Sequence, residues 1–389
     1  MAGLEAIRPI LETLVGFDTV SAKSNLALAH WVRDYLEGHG VASTLVPNAE
    51  GTKANLYATL GPSRAGGVVL SGHTDVVPVE GQKWSSEPFT VTPRGGRLYG
   101  RGTADMKGFI AAALAAVPEF LAAGLKTPIH LAFSYDEEVG CIGIPHLLAR
   151  LARDLPKPRA AIIGEPTMMQ VVTGHKGLAA WRTVFTGVEA HSSRIEEAVS
   201  AIFAASDFIA YLRGLAEEFR RGAKDPAFEP PFTTINVGKI QGGQAMNIVA
   251  GQCAIDWEFR PLPSTDAKAI IARIRRFVDD ELRPALKARH KAADVELILL
   301  ADGPGLAPEP NSIAEALARR LTGANRSGTV AYGTEAGHFQ RTGISAVVCG
   351  PGDIEQAHKP DEFVALDQLA QCAAFLAKLK DWAAERPEF

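Results

Sequence analysis

Short apolar runs that stop at a potential metal ligand recur through the first half of this 389-residue chain, and helical patterns separate them. The runs 55–60 and 67–71 are bounded by turn residues and suit strands of a covered sheet, as do 129–135 and 159–164. Between them, 5–15 and 25–39 read as amphipathic helices, the second ending at Gly40. The Ala-rich stretch 106–123 has helical spacing and stops at Gly124, and 146–153 is again helical. Such alternation predicts an α/β fold, a mixed sheet flanked by helices.

The middle of the chain changes character. Segments 177–186, 232–238, 250–260 and 295–300 are strand-like, and Ile255, Trp257 and Phe259 share one face. Two longer helical patterns, 195–219 and 267–286, lie among them. A Pro/Gly-rich stretch, 303–310, then leads to helix 312–321, strand 346–349 and helix 366–379. The expectation is a catalytic domain built from 1–177 and 301–389, interrupted by an inserted α+β domain at 178–300.

Composition excludes several classes. Lys and Arg number 40 against 44 Asp and Glu, a formal net charge of −4, so no basic field exists to hold a phosphate backbone and nucleic acid is not an expected partner. Cys141, Cys253, Cys349 and Cys372 are widely spaced with no Cys-x-x-Cys, which suggests neither a disulfide framework nor a cysteine zinc site. Residues 1–12 carry Glu5, Arg8 and Glu12 instead of a signal peptide's apolar run, and 109–117 is too short to span a bilayer. A cytoplasmic protein without membrane attachment is expected. No Gly-x-Ser-x-Gly elbow or phosphate-binding Gly-rich loop is present.

The residues that end the apolar runs carry the chemistry. The strand pattern 68–72 delivers His73 at its carboxyl end, where α/β sheets gather functional groups. Asp75 falls on the same face of an extended segment, placed to accept the other imidazole N–H. Asp105 opens the Ala-rich helix; capping would explain an Asp there, but a carboxylate with both oxygens free can also bridge two cations. Arg101 and Lys107 are expected to keep its approach open and electropositive. Asp136-Glu137-Glu138 follow a strand; adjacent acids repel unless a cation is near, and one can ligate while its neighbour handles a water proton. Glu165 ends another strand, held extended by Pro166. With the late His358 the set comprises two imidazoles and three carboxylates, plus acids left over to orient and activate, which suits a pair of divalent cations in hydrolytic chemistry.

Four phrases, 71–78 (Ser-Gly-His-Thr-Asp-Val-Val-Pro), 99–108, 136–140 and 164–167, resemble the dinuclear zinc hydrolases that include acetylornithine deacetylase, succinyl-diaminopimelate desuccinylase, aminoacylases and glutamate carboxypeptidase. The resemblance spans nearly the whole chain. It implies that His73 and Glu165 bind one metal, Glu138 and His358 the other, and Asp105 bridges; zinc is the expected ion, with cobalt or manganese as substitutes. It further implies Glu137 as general base, Asp75 as the partner of His73, and an inserted lid used for homodimerisation. Within the lid, His191 would steady the oxyanion in the partner subunit's site, and Arg260 and Asn247 would grip a substrate carboxylate. Thr334-Glu335-Ala336 resembles the acetylornithine deacetylase branch more than the desuccinylases, and Thr334 and Glu335 are candidate substrate contacts. The implied reaction is hydrolysis of the amide of an N-acyl amino acid, foremost N2-acetyl-L-ornithine to ornithine and acetate, a step of arginine biosynthesis. A desuccinylase, aminoacylase or dipeptidase, or a silent metal-binding scaffold, are the alternatives. After His191 the chain departs from the family's usual Pro and Gly-Val-Asn-Ala run, with Arg194 to Ala201 in its place.

Overall fold

The computed structural model describes residues 3–385; Met1 and Ala2 of the N-terminal segment, and the last four residues of the C-terminal stretch, lie outside it. The chain forms two compact units. The first takes residues up to 174, 306–329 and 334 onward; the second takes 175–305 and 330–333.

In chain order the first unit begins with helices α1 (Leu4–Gly16) and α2 (Leu26–Gly38), strands β1 (Ser43–Pro47), β2 (Ala54–Leu60), β3 (Val68–His73), β4 (Thr92–Arg94) and β5 (Arg97–Tyr99), and helices α3 (Lys107–Ala115) and α4 (Val117–Ala122). It continues with β6 (Ile129–Ser134), α5 (Ile144–Leu151), β7 (Ala160–Pro166) and β8 (Val172–His175). The second unit contains β9 (Leu178–Thr186), α6 (Ala201–Arg221), β10 (Thr234–Gly242), β11 (Gln252–Arg260), α7 (Ala267–Phe277), α8 (Arg283–Arg289) and β12 (Asp294–Gly303). The chain closes with α9 (Ile313–Thr322), β13 (Gly328–Val330), α10 (Ala336–Arg341), β14 (Ser345–Gly350), β15 (Phe363–Ala365) and α11 (Leu366–Glu385).

An eight-stranded sheet in the order β1-β2-β6-β3-β7-β14-β8-β13 organises the first unit. The β6, β3, β7 and β14 strands run parallel, while β1, β2 and β8 pair antiparallel, so the sheet is mixed as the alternation of patterns predicted. Because side chains alternate across a strand, Leu70, Phe133 and Ile162 turn into the core beside α3, whereas Ser71, His73, Ser134 and Glu165 turn to the opposite face. All of α3 is buried, and its Ala and Gly residues allow close approach: a Cβ on Gly164 would lie 2.0 Å from the Phe109 ring.

The second unit is an antiparallel sheet, β10-β11-β9-β12, packed on α6 and α7 through Phe185, Phe208, Trp257, Phe259 and Ile274. Strands β9 and β11 alternate buried and partly exposed residues, the signature of a sheet covered on one face. Two expected helices differ from the sequence reading. The 106–123 pattern breaks at Ala116, because Pro118 cannot donate into a continuing helix and instead sits in the first turn of α4. The 195–219 pattern is a 3₁₀ turn over Ser192–Glu197, an extended Ala198, and then α6, whose N-cap Ser200 accepts from the Phe203 N–H.

Candidate active site

The parallel strands bring their carboxyl ends together, and four of the five expected metal ligands arrive there by local chain geometry. His73 is the last residue of β3, Glu165 lies at the end of β7, and Glu138 follows β6. Asp105 does not cap α3: the N-cap position is Met106 and no side chain bonds the helix end. Its carboxylate instead takes one imidazole on each oxygen, His73 Nε2 2.9 Å from Oδ1 and His358 Nε2 3.4 Å from Oδ2. Glu138 Oε2 lies 2.9 Å from the same His358 nitrogen, and Glu165 Oε1 3.8 Å from His73 Nε2. His358, the fifth, is delivered by the turn before β15, with a left-handed φ of 63°.

Electrostatics mark the cluster as one that needs positive charge. Glu137 and Glu165 are pushed well above the usual carboxylate range, first by burial and then by neighbouring acids, and Glu138 is pushed up to about 7 by burial and Asp105. Asp105 alone is held well below that range: burial opposes its charge, but His358 and His73 outweigh it. His358 rises to about 10 beside Asp105 and Glu138. Glu165 Oε1 is a buried acceptor without a hydrogen-bond partner. His73 with Glu137 and Glu165, and His73 with Asp105 and Glu138, each bring their donor atoms within 4.8 Å of one another. Acids gathered in a buried pocket, with an orphaned oxygen among them, fit divalent cations better than they fit one another.

Asp75 meets His73 through its backbone as well as its carboxylate. The His73 Nδ1 lies 2.9 Å from the Asp75 backbone oxygen, and 3.6 Å from the carboxylate. The carboxylate also accepts from the Glu137 and Glu138 N–H groups at 3.1 and 3.2 Å, and from Ser21 Oγ at 2.7 Å. One Asp therefore orients His73 through its backbone and the acidic pair through its side chain. Arg101 and Lys107 correct an expectation, since both are fully buried and form no open electropositive approach. Arg101 pairs with Glu362 at 2.8 Å, and the Lys107 ammonium donates to the Phe17 oxygen. Cys141, not anticipated, donates its thiol to Glu137 Oε1 at 3.3 Å.

Thr334 and Glu335 belong to the same unit as these five residues and are 1% exposed. Neither Glu335 oxygen has a hydrogen-bond partner, and burial pushes the carboxyl up to about 7. His191, Asn247 and Arg260 belong to the second unit. The His191 Nδ1 accepts from the Ser193 N–H at 3.2 Å and lies 2.8 Å from the Ser193 hydroxyl, and the residue is exposed. The Asn247 carbonyl accepts from Ser192 N–H, and Arg260 pairs with Glu258 at 2.9 Å.

A fold of this kind with acids and imidazoles at the carboxyl edge defines a metallohydrolase architecture. The sequence pattern of the peptidase family M20/M25/M40 matches residues 69–381, and the chain belongs to that family. It is 36% identical over 393 residues to the acetylornithine deacetylase of Myxococcus xanthus, covering 96% of this chain and 97% of that one. It is also 36% identical over 368 residues to the acetylornithine deacetylase of Proteus mirabilis, covering 93% and 91%. The M20 family metallo-carboxypeptidase Sso-CP2 of Sulfolobus solfataricus shares the fold at a TM-score of 0.77, with 18% identity over 98% of this chain and 99% of that one. No helix among the described residues is long and apolar enough to cross a membrane.

Proposed function

We propose that this chain hydrolyses the amide bond of an N-acyl amino acid, N2-acetyl-L-ornithine foremost, using two divalent cations, with zinc the expected ion. The observation that carries the reading is Asp105, whose two oxygens face two imidazoles from opposite parts of the chain. His73 and Glu165 would hold one cation, Glu138 and His358 the other, with Asp105 between them. When bound, the cations supply polarisation of the amide carbonyl and a lowered pKa for the attacking water. Glu137 takes the water's proton and passes it to the leaving amine. Its thiol contact with Cys141 and the Asp75 grip on its backbone support that role by fixing where the carboxylate points.

His191 contributes a donor for the oxyanion in the site of a second copy, the lid pairing through a twofold axis. Arg260 and Asn247 hold the substrate carboxylate, and Thr334 and Glu335 favour a cationic side chain. The full-length similarity to two acetylornithine deacetylases supports the substrate choice. A panel of N-acyl amino acids, assayed with metal content measured on the same sample, tests it. N-acetylornithine should exceed N-succinyl-diaminopimelate in kcat/KM. Reversed preference removes the narrow assignment and keeps the hydrolase; no turnover by metal-loaded protein removes both.

A further inference from the structure

The least enclosed of the five ligands is His358: its side chain is 55% exposed, against 0% for His73 and 5–6% for Asp105, Glu138 and Glu165. It also sits in a left-handed backbone conformation, as does Asp361 at φ 57°, and such conformations cost a non-glycine residue energy unless neighbours enforce them. The segment preceding β4 does so. Gln82 Nε2 donates to the His358 carbonyl at 3.0 Å, while the Ser85 N–H and hydroxyl both donate to Asp361 Oδ1 at 2.9 Å.

Gln82 is tied in turn to the loop that carries Asp105. Its Oε1 accepts from Arg101 Nη2 at 2.6 Å and from Trp84 Nε1 at 3.1 Å, and the Arg101 guanidinium stacks 4.9 Å over the Trp84 ring. Arg101 Nη1 donates to Glu362 Oε2 at 2.8 Å and to the Lys359 carbonyl at 3.3 Å. The Glu362 carboxylate also accepts from the N–H groups of Gly102, Ala104 and Asp105 at 3.0, 2.9 and 3.1 Å. Arg101 and Glu362 are each 1% exposed, so the pair is a fixed post. One chain of hydrogen bonds thus runs from the backbone of Asp105, through Glu362, Arg101 and Gln82, to the backbone of His358.

We propose that Gln82 is a positioning residue for His358, and that this chain sets the turn bearing His358 against the loop bearing Asp105. Its effect falls on the cation position formed by Glu138 and His358, because the His73 and Glu165 position is held by the strand ends themselves. The inference rests on the two-cation reading above, and zinc binding separates the two. Chelator-stripped wild type and Gln82→Met are titrated with zinc by calorimetry, with thermal melts and kcat measured on the same samples. Wild type should bind two ions, and Gln82→Met should keep one site while losing tenfold or more at the other, the range seen when residues that orient a ligand are removed. Saturating zinc should restore its kcat. Gln82→Glu keeps the acceptor for Arg101 and Trp84 but has no donor for His358, and should lose affinity at the same position. Unchanged second-site affinity in Gln82→Met overturns the positioning role and leaves the two-cation reading standing. Equal losses at both sites with a lowered Tm, or wild-type affinity in Gln82→Glu beside a loss in Gln82→Met, also overturn it. A wild type that binds fewer than two ions overturns the two-cation reading first.

Discussion

Glu137 and Glu138 are adjacent, yet their surroundings differ. Glu138 faces His358 at 2.9 Å, while Glu137 contacts the Cys141 thiol and lies within 4.8 Å of the His73 ring nitrogen. Glu137→Gln preserves shape but cannot accept a proton, so the variant should keep its metal and lose about a hundredfold or more in kcat. Loss of metal in that variant, or normal turnover, removes the base assignment. Glu335 offers a second test at this scale. Its carboxyl is raised from 4.5 to about 7 by burial, against the opposing charge of His73. A raised carboxyl contributes its full stability below the unfolded value and loses it as pH climbs through the folded one. For Glu335 the loss between pH 4.5 and 8 is about 3 kcal/mol. In chelator-treated protein, Glu335→Gln should therefore gain stability relative to wild type when denaturant melts move from pH 5 to pH 8. A difference that stays constant with pH contradicts the burial argument.

At the scale of elements, the site depends on how closely α3 lies on the sheet. Gly164 precedes Glu165, and any side chain there would enter the Phe109 ring, itself fully buried. Gly164→Ala should destabilise by about 2–3 kcal/mol, as overpacked cores do, seen as a lower Tm. Because the displaced strand carries Glu165, metal content should fall with it. Retained stability and metal would mean that α3 can shift away without cost. The same strand shows why patterns predicted elements well and boundaries less well. Its apolar run was legible at 159–164, but pairing with β14 extends it through Pro166, and a hydrogen-bond ladder is a property of two segments.

The whole molecule enters through His191. The residue is exposed, and its Nδ1 accepts from the Ser193 N–H, so Nε2 is the nitrogen available to donate. If paired copies exchange this donor, His191→Ala should be nearly inactive with metal bound. Mixed with Glu137→Gln subunits it should recover activity, since one site in each mixed dimer has both residues. The absence of recovery in verified mixed dimers, or full activity in a verified monomer, counts against the exchange.

Local patterns in the sequence sufficed for the α/β class and for placing His73, the acids 136–138 and Glu165 at strand ends, because apolar periodicity is a property of a few consecutive residues, while the choice of Glu138 and the role of His358 came with the family resemblance. What each side chain touches was decided by packing. Asp75 reads as a partner for the neighbouring imidazole, yet its carboxylate serves backbone groups more than sixty residues away. Asp105 also reads as a helix cap, and its carboxylate faces two imidazoles only because His358 arrives from the far end of the chain. Arg101 reads as an exposed cation, and is instead the buried partner of Glu362, 261 residues on. Buried polar groups must find partners wherever the fold places them. That demand is met across the sheet's edge, out of reach of any local pattern.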